Sequence, residues 1–131
     1  MTKSLIHLVL SLMAGQVLGQ TPRFLGQIEN VTVAEGRDAT FTCSVTNLGQ
    51  HKVAWLKSDT KAILAIHYHV ITNYDNLQIT HNDKDTWTLV IKNVQQKDSG
   101  EYMCQVNAVP MINQVLLYAL KKTRADFGAK N

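Results

Sequence analysis

Residues 87–104 read W-T-L-V-I-K-N-V-Q-Q-K-D-S-G-E-Y-M-C. Thr86, Thr88 and Val90 alternate against Trp87, Leu89 and Ile91, the two-residue period of a strand with one buried face. The pattern breaks over Asn93 to Gly100 and resumes through Tyr102 and Cys104. Spacing by two puts Tyr102 and Cys104 on one face, Gly100 gives the turn its freedom, and Asp98 can hold the loop's amides. An Asp, Gly, Tyr and Cys so spaced form a tyrosine corner, in which the ring packs inward and its hydroxyl satisfies the backbone of the preceding loop. Such a corner requires a first cysteine and a tryptophan upstream.

Both are present, at Cys43 and Trp55. Ala39 to Val45 alternates as A-T-F-T-C-S-V, with Ala39, Phe41, Cys43 and Val45 inward. Val53 to Lys57 places Trp55 on a strand against the cysteine pair. Ile28 to Ala34 reads as the first edge strand, Lys61 to His67 as another strand, and His69 to Ile71 as a short one. Leu77, Ile79 and His81 alternate before the turn at Asn82–Asp85. Turns recur about every ten residues, and no helical period survives beyond the N-terminal segment. These features predict an all-β, immunoglobulin-like sandwich with Greek-key connections and one inter-sheet disulfide. Room for two or three strands between Trp55 and Trp87 favours the variable or intermediate type. Trp55, Leu89, Asp98, Gly100 and Tyr102 are its expected core and corner residues. Ile112 to Leu120 should be the last strand, although its alternation is poor, with Val115, Leu116, Leu117 and Tyr118 consecutive.

The compartment follows from residues 1–19. Lys3 precedes an apolar run from Leu5 to Leu18 that is too short for the roughly 18–20 residues of a membrane span. Val17 and Gly19 suit the −3 and −1 positions of a cleavage site, so a secretory signal peptide is expected, with the domain over 20–120 and a basic tail over 121–131. An oxidising route and only two cysteines predict a Cys43–Cys104 bond. The net charge of +3 resides in the ends: residues 20–120 carry eight basic and nine acidic side chains. Near-neutrality gives no indication of nucleic-acid binding.

Several segments are specific beyond this frame. F-L-G-Q-I-E-N-V-T-V-A-E-G-R-D-A-T-F-T-C (24–43), V-A-W-L-K (53–57), K-A-I-L-A-I-H (61–67), T-H-N-D (80–83) and W-T-L-V-I-K-N-V-Q-Q-K-D-S-G-E-Y-M-C-Q-V-N (87–107) occur in this order. Over residues 24–111 the chain resembles the first domain of the arthropod lachesin-like and Dpr-interacting proteins, relatives of amalgam and the IgLON adhesion molecules. The resemblance implies neuronal cell-surface recognition, in which first domains dock face to face with a like or a Dpr-type partner. Members usually carry three such domains and a membrane anchor. The chain as written shows one domain and no anchor, so a secreted single-domain binder, a truncated isoform or a gene-model fragment are the alternative expectations. The arginine that the family places before the Leu77 strand, to pair with the corner aspartate, is replaced by Asn76 or its neighbour.

Alternation also orients the candidate binding residues. With Trp55 inward, Ala54 and Leu56 face outward; with Tyr102 and Cys104 inward, Met103, Gln105 and Asn107 face outward. Ile63, Leu64, Ile66 and His67 come from a strand that is apolar on both faces. Together they form an expected apolar patch with a polar rim, the anatomy of a protein interface. Asn30-Val31-Thr32 is the one N-glycosylation sequon. His67-Tyr68-His69 has no carboxylate or thiolate at a supporting spacing, so no metal is expected. No cofactor is expected either, and no catalytic motif stands out, so an enzyme is not the expectation.

Overall fold

The computed structural model describes residues 21–73, 75–82 and 85–121. The expected signal peptide, and the tail beyond Lys121, lie outside them.

Strict alternation produces the centre of the first sheet. β3 (Ala39–Thr46) buries Ala39, Phe41, Cys43 and Val45, and pairs antiparallel with β8 (Thr86–Ile91), Phe41 opposite Leu89. β1 (Arg23–Phe24) and β7 (Leu77–Asn82) flank them in the order β1-β3-β8-β7. The second sheet comprises β2 (Val31–Ala34), β4 (Val53–Lys57), β5 (Ala62–Ile66), β6 (His69–Val70), β9 (Gly100–Val106) and β10 (Ile112–Lys121), in the order β2-β10-β9-β4-β5-β6. β2 runs parallel to β10, and the other neighbours are antiparallel.

Cys43 on β3 and Cys104 on β9 join the sheets, with Cα atoms 6.5 Å apart and a sequence separation of 61. Closing a loop of that length stabilises the fold by about 4 kcal/mol through the unfolded chain. Trp55 lies opposite Cys104 in the register. The Phe41 ring stands 4.8 Å from Tyr102 and 5.8 Å from Tyr118, so the core is aromatic at its centre. The Tyr102 hydroxyl donates to the Asp98 carbonyl, and the Asp98 carboxylate accepts from the Gln95 amide at 2.8 Å. Gly100 has φ +142°, which an L side chain rarely adopts, so glycine closes the corner. The all-β immunoglobulin-like sandwich is as the sequence predicts.

Two strand expectations need correction, and the last strand, expected over 112–120, is present as β10. The edge strand expected over 28–34 is confined to β2, and a separate short strand, β1, lies in the segment before it. β1 pairs with β3, the chain crosses over, and only β2 joins the other sheet. Gly26 bends the crossing at φ +73°, and Gln114 fastens it by donating to the Gly26 carbonyl at 2.9 Å and accepting from the Ile28 amide at 3.1 Å. The strand expected over 61–67 is shorter, because Lys61 and His67 have φ +59° and +57° and belong to turns. β10 alternates after all: Leu116 and Tyr118 are buried, Val115 and Leu117 exposed. It pairs with β9 from Ile112–Val106 to Tyr118–Gly100.

Candidate docking face

The inward set on β9 is Tyr102, Cys104 and Val106, which leaves Glu101, Met103 and Gln105 on the outer face. Registers with the neighbouring strands extend this face sideways. Val115 on β10 lies opposite Met103, Met103 opposite Leu56 on β4, and Leu56 opposite Ile63 on β5. One unbroken apolar row therefore crosses four strands, about 14 Å at a strand spacing of ~4.8 Å. Its ends are open, with Val115 43% and Ile63 46% exposed; Leu56 and Met103 between them are half-buried. The adjacent row is Asn113–Gln105–Ala54–Ile66. Gln105 donates to the Met111 sulfur at 2.7 Å. At the other end, Ser58 donates to the Glu101 carboxylate at 3.0 Å.

Ala54, Leu56, Ile63, Ile66, Met103 and Gln105 are thus brought onto one surface. Asn107 is exposed just beyond β9, where its side-chain oxygen accepts from the Lys52 amide at 2.7 Å. Two expected members do not belong. The register shifts between Trp55 and Leu56, so Ala65 lies opposite Trp55, Ile63 opposite Leu56, and Leu64 turns into the core at 2% exposure. His67 leaves the face at its turn, and its ring lies 4.3 Å from Trp87. Val115 and Leu117 were missed. Their signal was the apolar run itself, which is what a strand buried on one side and apolar on the other must look like.

His67 and His81 flank Trp87, His81 stacked on it at 4.0 Å, and the Tyr68 hydroxyl meets His81 Nδ1 at 2.9 Å. Burial, then the charges of Lys52, His81 and His69, hold the His67 imidazole below its ordinary value. Among the described residues no three His, Cys, Asp or Glu side chains gather as a metal site. No helix among them is long and apolar enough to cross a membrane.

Two disulfide-joined sheets and a corner of this geometry define an immunoglobulin-type domain. Residues 22–110 match the immunoglobulin I-set domain, and the chain belongs to that family. Among curated relatives it is similar to the Zwei Ig domain protein zig-8 of Caenorhabditis elegans, 29% identical over 77 residues, 59% of this chain and 29% of that protein. The chain thus spans less than a third of that relative's length. Among solved structures it resembles a chain of the complex of Dpr1 IG1 bound to DIP-eta IG1. The TM-score is 0.75 at 44% identity, over 77% of this chain and 96% of that one. It also resembles the RIG-5 IG1 homodimer, with a TM-score of 0.72 at 30% identity over 77% and 98% of the two chains.

Proposed function

We propose that this is the first-domain module of a cell-surface recognition protein of the Dpr-interacting and lachesin-like type. It works outside the cell and docks the outer face of its six-stranded sheet on another immunoglobulin domain. The carrying observation is the row Val115–Met103–Leu56–Ile63, an apolar strip across four strands with a polar neighbour row in Asn113 and Gln105. An apolar centre with a polar margin is how interfaces differ from ordinary surface. Support also comes from the similar solved chains, one from an IG1–IG1 complex of two proteins and one from an IG1 homodimer. The Cys43–Cys104 bond fits an oxidising compartment, in keeping with residues 1–19 acting as a secretory signal.

A face of this size buries on the order of 800 Å² per partner. Affinity is modest for one domain, and multivalent display at a membrane raises it. The test is to replace Leu56 by Arg, or Met103 by Asp, and measure self-association by sedimentation and binding to Dpr-type first domains by surface plasmon resonance. A charge buried in the row should weaken whichever association the native domain shows by about tenfold or more. Unchanged association in both variants removes this face from the function.

A further inference from the structure

The sequon Asn30-Val31-Thr32 lies at the edge of this same sheet. The parallel register pairs Val31 with Tyr118, which sets Asn30, one residue earlier, beside Leu117. The Asn30 side-chain oxygen accepts from the Leu117 amide at 2.9 Å. That bond fixes the plane of the carboxamide and directs Nδ2 along its other branch, on a residue exposed to solvent. Thr32 is exposed too, on the outermost strand of the sheet. Leu117, 53% exposed, is an outward residue of β10 together with Val115.

We infer that Asn30 carries an N-linked oligosaccharide that shields the β10 end of the outer face, Leu117 first and Val115 next, and leaves docking centred on Met103, Leu56 and Ile63. In its relevance to docking the inference rests on the face proposed above; the shielding does not. The modification is a transfer from a lipid-pyrophosphate-linked oligosaccharide of the secretory pathway. Nδ2 forms a bond to the sugar C1 and loses one proton to a base of the transferase, while the C1–O bond breaks and the lipid pyrophosphate departs with the electron pair. Oδ1 takes no part, so the bond from the Leu117 amide survives and ties the root of the glycan to β10. From β2 the neighbouring strand lies one spacing away and β5 four, about 19 Å. The sugar therefore stands over one end of the apolar row and not the other.

The test uses the full chain secreted from animal cells, as native protein and as Thr32→Val, which removes the sequon while keeping Asn30 and a β-branched residue. Each is combined with Leu117→Cys or, as the distant control, Ile63→Cys. Mass spectrometry of the Asn30 peptide reads occupancy. Reaction with a polymer-bearing maleimide reads access, with the native disulfide checked by non-reducing mass. The glycan should slow labelling at position 117 several-fold and leave labelling at position 63 unchanged. An unmodified Asn30, or equal rates at position 117 with and without the glycan, overturns the inference. Failure of the docking face would show separately, as unchanged association in the Met103→Asp variant, and would not alter the labelling rates.

Discussion

Asp98 is buried at 8% exposure, and no cation pairs with it among the described residues. Instead its carboxylate is held by the Gln95 amide, a charge-assisted bond, and Asn76 spends its own amide on the Lys92 carbonyl at 3.1 Å. His67 shows how one backbone angle can redirect a side chain. At φ +57° the chain turns, and the ring that alternation would send outward lies over Trp87. Because its imidazole is held below the ordinary 6.5, the folded protein binds fewer protons there than the unfolded chain does. Its contribution to stability is complete above that value and is lost as pH falls through 6.5 toward the folded value. Asp38, lowered chiefly by its bond from the Asn93 amide, acts in the same sense but in a more acidic window, below 3.8. Melting temperature should therefore drop as pH falls from about 7 through 6.5, and His67→Asn, which tolerates positive φ, should flatten that drop. An equal drop in the variant would assign it elsewhere.

Strands differ in how plainly their sequences show them. β3 and β8 were legible because solvent on one side and core on the other force alternation at every position. β5 and β10 were legible as strands but not in the facing of their residues, because the outward Ile63, Ile66, Val115 and Leu117 are themselves apolar. A surface suited to docking erases the alternation that orients a strand, so Val115 and Leu117 were hidden for the same reason that they are of interest. The crossing from β1 to β2 was illegible for another reason: it is held by Gln114, 86 and 88 residues away from its partners. A long-range tether leaves no local signal. Replacing Gln114 by Ala should speed amide exchange at Ile28 and lower stability by about 1–2 kcal/mol, since two backbone groups lose a partner. Exchange in β3 and β8 should stay as it is. A uniform rise at Ile28, β3 and β8 would mean that the crossing and the core open together.

At the scale of the whole molecule the six-stranded sheet, on the reading proposed above, divides two duties between its faces. Inward, Trp55, Tyr102 and Leu116 are sealed against the first sheet at 2% exposure or less, and the disulfide ties the halves. Outward, the apolar row is not packed against the core, so its cost in solvent exposure is borne by the free domain and would be recovered on the proposed docking. The two duties should therefore separate under mutation. Met103→Asp places a charge on a half-buried outward site and should change folding stability by no more than about 1 kcal/mol while removing association. Reduction of Cys43–Cys104 should do the opposite, lowering stability by roughly 4 kcal/mol, a large share of the 5–15 kcal/mol typical of a domain. Association would then fall only with the folded population. Urea titration beside sedimentation, on both samples, separates the cases. If Met103→Asp lost stability on the scale of the reduced protein, the outer row would be working as core, and its exposure would no longer argue for a partner.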